Sequence, residues 1–235
     1  MNKPQEVERL TKVYSFYHSD TDTQSRWDID NPGNRHAWDE RRERTVKVLT
    51  ENQLMPLTNK RILEIGCGNG NVLADFLRWG ADPSHVYGID LMPNRIEQAR
   101  QLNPGVNFAC GNAQSLDFAD NEFDLVLLVI VLSSILDDSM SRDIVAEVTR
   151  VLKPGGSVLL YDFRYNNRHN PNTKAITKYD LRRLFPSYNL DVRPITLLPP
   201  LSRRLGKLTP WLYPTFNSLP LLRSHYLALL TKTTD

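Results

Sequence analysis

Apolar runs of strand length recur along the chain at Arg61–Ile65, Val86–Ile89, Val106–Cys110, Phe123–Val129 and Ser157–Tyr161. Each is followed by a segment with helical spacing of its apolar residues: Val72–Trp79, Pro93–Leu102, a short one at Ser133–Leu136, and Ser141–Leu152. The last of these should stop at Lys153-Pro154-Gly155-Gly156, because proline cannot continue a helix and glycine favours its end. Strand and helix in alternation predict an α/β fold: a doubly wound, mostly parallel sheet with helices on both faces. Two more strands are expected near Leu190–Thr196 and His225–Thr231, which makes the sheet seven-stranded. The first fifty residues are polar and aromatic and close in a predicted helix over Trp38–Leu49. They should form a small helical cap, residues 1–50, on a main domain of residues 51–235 that carries an insertion near 197–222.

Length and composition agree with this division, since 235 residues suffice for one large core with an appendage. Lys plus Arg number 29 against 27 for Asp plus Glu, so the overall charge gives no reason to expect nucleic acid as a partner. The two cysteines, Cys67 and Cys110, have neither a disulfide framework nor metal-ligand spacing, and no metal is expected. The longest apolar run, Leu125–Leu132, is too short to span a bilayer, and the start MNKPQEVERL lacks the apolar core of a signal peptide. A soluble, cytoplasmic protein without an integral membrane segment is the expectation.

The candidate chemistry begins where the first strand runs into a helix, at RILEIGCGNGNV, residues 61–72. Glycine without a Cβ lets main chain approach a ligand closely. A phosphate-binding loop would need Gly-Lys-Ser/Thr at its close, which is absent. A dinucleotide fingerprint counted from Gly66 would need glycine or alanine at position 71, where Asn71 stands. The pattern Glu64-x-Gly66-x-Gly68-x-Gly70 instead resembles the first motif of the class I methyltransferases that use S-adenosyl-L-methionine, which have a Rossmann-like fold.

The resemblance continues over residues 61–163, about the central half of the chain. Asp90, twenty residues after Gly70, ends the second strand, where a carboxylate can accept hydrogen bonds from both hydroxyls of a ribose. The same acid would serve a nicotinamide dinucleotide. In CGNAQSL the family usually has Gly-Asp-Ala; here Asn112 replaces the acid and still offers an amide oxygen to an adenine amino group. The match to the fourth strand implies that backbone near Val129 faces the amino group of the methionine part. Cys67, Leu91 and Ala113 complete the implied cofactor-binding set with Glu64, Gly66, Gly68, Gly70, Asp90, Asn112 and Val129. RVLKPGGSVLLYDF matches the family's helix, turn and fifth strand, an architectural role.

Methyl transfer from a sulfonium needs mainly proximity and alignment, and a hydroxyl acceptor also benefits from a general base. Ser133-Ser134 stands where the family often has histidine, which excludes a histidine base there. His36 in the amino-terminal cap and His169 beyond the fifth strand are the candidates for catalysis, and Tyr14 and Tyr17 are candidate aromatic walls. The carboxyl-terminal insertion carries Trp211, Tyr213 and Phe216, and residues 192–235 hold six Lys or Arg against one acid, Asp235. Such a segment suits a glycan- or lipid-linked acceptor, a membrane surface, an interface in a homodimer, or a cover for the sheet edge. The expectation is an S-adenosylmethionine-dependent methyltransferase of a small-molecule acceptor, with oxygen preferred over nitrogen by family habit. The alternatives are a nicotinamide-dependent oxidoreductase, disfavoured by Asn71, and a non-catalytic cofactor-binding scaffold. An amino-methyltransferase of nucleic acid is disfavoured because LLVI stands where its Asn/Asp-Pro-Pro-aromatic signature would be.

Overall fold

A computed structural model describes residues 3–234. In chain order the elements are α1 (Lys3–Ser19), α2 (Thr21–Arg26), α3 (Pro32–Glu51), β1 (Ile62–Ile65), α4 (Asn71–Arg78), β2 (Val86–Asp90), α5 (Pro93–Leu102), β3 (Asn107–Cys110), β4 (Phe123–Val129), α6 (Asp138–Val151), β5 (Leu152–Phe163), α7 (Lys178–Leu184), β6 (Tyr188–Leu197), α8 (Pro199–Ser202), α9 (Thr209–Asn217) and β7 (Arg223–Lys232). Seven strands form one sheet in the order β3-β2-β1-β4-β5-β7-β6. β1 to β5 are parallel, and β7 runs antiparallel between β5 and β6. The expected doubly wound, mostly parallel sheet is present.

The core follows from strand alternation. Successive side chains of a strand point to opposite faces, so the all-apolar β4 serves both. Val126 and Leu128 pack with Ile144, Val145 and Val148 of α6 and Leu181 of α7. Leu125 and Leu127 pack with Val48 and Leu49 of α3, Leu73 and Phe76 of α4, and Ile96 and Ala99 of α5. Leu10 of α1 joins the first layer, so part of the amino-terminal segment is buried against the sheet domain.

Three segments differ from the pattern-based expectation. α3 starts at Pro32 rather than Trp38, because Asn31 caps it by accepting from the amides of Gly33 and Asn34. The stretch near Ser133–Leu136 is a single 3-10 turn, Leu132–Ser134. β5 begins at Leu152, and the Lys153–Gly156 turn is its irregular start, with the register shifting between Phe123 and Leu125 opposite it. The insertion after β6 folds into α8 and α9. Glu40 of α3 anchors it, accepting from the Tyr213 hydroxyl at 2.9 Å, the Thr196 amide at 3.1 Å and the Asn217 side-chain amide at 2.6 Å.

Candidate active site

The parallel strands end on one edge, where open α/β sheets bind ligands. The chain turns there after β1 through Gly66, Gly68 and Gly70, with φ of 69°, 54° and 79°, in the left-handed region. Two of these glycines differ in what surrounds them. A Cβ on Gly70 would come within 2.7 Å of Asn103 Nδ2 and 3.0 Å of Phe108, so its glycine is required by packing. A Cβ on Gly68 would meet nothing nearer than Arg95 Nη1 at 3.7 Å. The space above Gly68 is open to a ligand.

Asp90 fixes this turn. Its Oδ2 accepts from the Gly68 amide at 2.9 Å and its Oδ1 from the Met92 amide at 2.8 Å. A carboxylate has about four lone-pair positions, so capacity remains for further donors. Gly66 and Cys67 in turn donate their amides to the Ile89 carbonyl at 2.7 and 3.0 Å. The turn after β1 and the end of β2 therefore form one hydrogen-bonded unit.

Beside this unit lies a cavity of about 270 Å³, lined by Gly66, Asp90, Leu91, Asn112, Ala113 and Val129 among others. Six of the ten sequence-derived cofactor residues thus meet in one place. Glu64 of β1 and Cys67, Gly68 and Gly70 of the turn are not among its lining. Asn112 Oδ1 accepts from the Gln114 amide at 3.0 Å, so its side chain also shapes the turn after β3. Glu64 is buried, its Oε2 has no hydrogen-bond partner, and burial pushes its carboxyl well above the usual range against the pull of Arg41. An unpartnered acceptor at this depth costs free energy unless a donor reaches it.

α1 closes the cavity from above through Leu10 and Tyr14. The Tyr14 hydroxyl and Ser134 Oγ are 2.8 Å apart, and the Arg95 guanidinium stands 4.9 Å from the Tyr14 ring centre. Burial raises the Tyr14 pKa above the ordinary phenol value despite that hydrogen bond. Glu6, without exposed surface, accepts from the Leu136 amide at 2.6 Å and from Arg9, which donates to the Ser134 carbonyl at 2.5 Å. Tyr17 is tied instead to Asn170, at 3.2 Å.

Neither candidate histidine lines this cavity. His36 faces a second cavity of about 530 Å³ between α3 and α9, its ring 5.5 Å from that of Tyr213. His169 is exposed in the β5–α7 connection. Sequence reasoning missed Asp162, which is fully buried at the end of β5. It accepts from the amides of Ser133 and Phe163 at 3.0 and 2.9 Å and so fixes the turn that carries Ser134. Burial raises its carboxyl to about 6 against those hydrogen bonds. The signal was present as an acid ending the apolar run SVLLYDF.

The strand order, with its antiparallel β7, and the glycine turn linked to an acid after β2 define a Rossmann-like nucleoside-binding fold. Residues 62–156 match the family described as a methyltransferase domain, and that segment carries the features of the class I S-adenosylmethionine-dependent methyltransferases. A phthiotriol/phenolphthiotriol dimycocerosates methyltransferase of Mycobacterium ulcerans is 41% identical over 113 residues, 47% of this chain and 40% of that protein. The tRNA N(3)-cytidine methyltransferase METTL2 of Bos taurus is 36% identical over 116 residues, 45% of this chain and 30% of that protein. The chain thus spans less than half the length of these two curated relatives. A putative sarcosine dimethylglycine methyltransferase structure from Galdieria sulphuraria shares the fold, with a TM-score of 0.60 at 14% identity over 86% of this chain and 88% of that one.

The cofactor of this class is S-adenosylmethionine, and the site fits it on three observations. Backbone at Gly68 is bare, Asp90 retains acceptor capacity, and the buried Glu64 Oε2 lacks the donor that an ammonium group could supply.

Proposed function

We propose that this chain transfers the methyl group of S-adenosylmethionine to a hydroxyl oxygen of a small apolar or lipid-linked acceptor. The observation that carries this reading is the Tyr14–Ser134 hydroxyl pair, 2.8 Å apart at the cavity under α1 beside the apolar side chains of Leu10, Ile135, Met140 and Ile144. Bound cofactor supplies a methyl group already activated on a sulfonium. Asp90 and Asn112 would hold its nucleoside by their free acceptor positions, the bare turn at Gly68 would admit it closely, and Glu64 with the backbone at Val129 would receive its ammonium group.

The chain's residues then have two tasks. Leu10, Tyr14 and the apolar lining exclude water, which strengthens each polar contact inside. Tyr14 and Ser134 orient the acceptor hydroxyl, since alignment alone is worth about 7–11 kcal/mol in such displacements. Tyr14 keeps its proton, because burial raises its pKa, so it donates rather than acts as base. With neither His36 nor His169 at the cavity, the acceptor that suits this site is a hydroxyl that ionises readily, of phenol or enol type.

The near-neutral charge and the closed apolar roof favour this acceptor over RNA, the substrate in the name of one relative. Incubation of the chain with methyl-labelled S-adenosylmethionine and a cell extract, followed by partition, tests the reading. Label is expected in the organic phase in an ether product that withstands mild base, whereas base-labile label would point to a carboxylate acceptor. Label confined to RNA would overturn the acceptor class.

A further inference from the structure

The insertion between β6 and β7 emerges on the carboxyl edge of the sheet, where Leu197 pairs with Arg223 and His225 pairs with Phe163 at the end of β5. It therefore stands on the same rim as the cavity. Its aromatic residues divide: Tyr213 is buried against Glu40, whereas Trp211 is 78% exposed. Leu221 is 79% exposed, and Leu208 and Leu219 are also exposed. Large apolar side chains so placed lose free energy in water and normally mark a contact surface.

Neighbouring segments extend this surface. Ser202 lies so close to Gly33 that a Cβ there would meet its carbonyl oxygen at 2.1 Å, which brings the α2–α3 corner against α8. That corner exposes Trp27 and Ile29, and the Arg203 guanidinium lies 5.6 Å from the Trp27 ring centre. On the other side, Arg164 donates to the Pro220 carbonyl at 2.9 Å and brings the exposed Tyr165 beside Leu221.

Within the insertion the charge is one-sided, whereas the α2–α3 corner carries the exposed acids Asp28 and Asp30. From Leu198 to Ser224 the chain has Arg203, Arg204, Lys207 and Arg223 and no acid, although the whole chain is nearly balanced. Arg204 and Lys207 are exposed beside the apolar group. Tryptophan and leucine flanked by arginine and lysine suit the boundary between acyl chains and anionic headgroups, where the apolar bodies insert and the cations stay in the phosphate layer.

We propose that residues 199–222 dock on the surface of an anionic membrane. The docking sets the rim of the cavity at the headgroup layer, where a lipid-linked acceptor would be presented. This inference rests on the acceptor class proposed above but is tested without cofactor or acceptor, so the two can fail separately.

The experiment is co-sedimentation of the full chain with vesicles of phosphatidylcholine alone and of phosphatidylcholine mixed with phosphatidylglycerol. Wild type should pellet with the mixed vesicles, and less so as salt is raised. Trp211→Ala with Leu221→Ala should lower the partition coefficient by about tenfold or more, because most of two exposed apolar side chains is removed from the membrane contact. Arg204→Gln with Lys207→Gln should lower binding to the mixed vesicles and leave binding to phosphatidylcholine unchanged. Circular dichroism and S-adenosylmethionine affinity should match wild type in both variants. Wild type that stays in the supernatant with mixed vesicles, or a Trp211/Leu221 variant that binds as wild type does, overturns the proposal. So does a wild-type dimer by sedimentation velocity that the same variant turns into a monomer without any vesicle binding, which would make this face a contact between two copies.

Discussion

The Gly68 amide donates to Asp90 Oδ2 at 2.9 Å, so the turn after β1 and the acid after β2 hold each other in place. Asp90 thus braces the glycine turn, and in the proposed site it is also the acceptor for the ligand. Asp90→Ala should weaken S-adenosylmethionine binding by about ten- to a hundredfold and also destabilise the fold by about 1–3 kcal/mol, since the Gly68 and Met92 amides lose their partner. Calorimetric titration and denaturant unfolding measure the two effects. Unchanged affinity would remove Asp90 from the site.

The glycines of the turn should separate by phenotype. Gly70→Ala forces a Cβ against Asn103 and Phe108 and should cost about 1–3 kcal/mol of stability. Gly68→Val meets open space in the protein, so its cost to folding is the left-handed backbone, about 1–2 kcal/mol, while it blocks the ligand. Thermal unfolding and cofactor titration on both variants check this. A folded Gly68→Val protein that binds cofactor normally would make the turn purely structural.

Glu6 is the latch of the roof. Glu6→Ala leaves the Leu136 amide and the Arg9 guanidinium without their acceptor, and amide exchange in α1 should accelerate by about ten- to a hundredfold. Exchange in β4 should not change. Equal acceleration in both elements would mean that α1 is part of the global fold rather than a lid.

Asp162 links stability to pH. Burial raises its folded-state pKa from the ordinary 3.8 to about 6, so the protonated form is favoured in the folded protein. Its contribution is therefore greatest below pH 3.8 and declines as pH rises through about 6, by at most about 3 kcal/mol. A carboxyl-carbon NMR titration should find this residue titrating near 6. A midpoint below 3.8 would show that its hydrogen bonds outweigh burial.

Much of the scaffold was legible because parallel strands are buried on both faces and so appear as continuous apolar runs. β4 has the expected bounds Phe123–Val129, and α5 the expected bounds Pro93–Leu102. The first turns of α3 were not, because Arg35–Glu43 carry charge instead of an apolar stripe and are held by Asn31, Glu40 and ion pairs such as Arg42 with Asp75. Asn31-Pro32 is nonetheless a helix-start signal in the sequence. In the site, residues fixed by spacing along the strands were found: Gly66, Asp90, Leu91, Asn112, Ala113 and Val129 share one cavity. Contacts between distant segments were not. Ser134 was noted for what it excluded, and its partnership with Tyr14, 120 residues away, needed the packing of α1 to become visible.

Titration of the wild-type chain with S-adenosylmethionine and, separately, with NAD is the most direct test of the central claim, that Gly68, Asp90 and Glu64 form a site for a sulfonium nucleoside. Saturable binding of S-adenosylmethionine with one site per chain, about ten- to a hundredfold weaker in Asp90→Ala, and no binding of NAD are predicted. Saturable binding of NAD with none of S-adenosylmethionine would contradict the account.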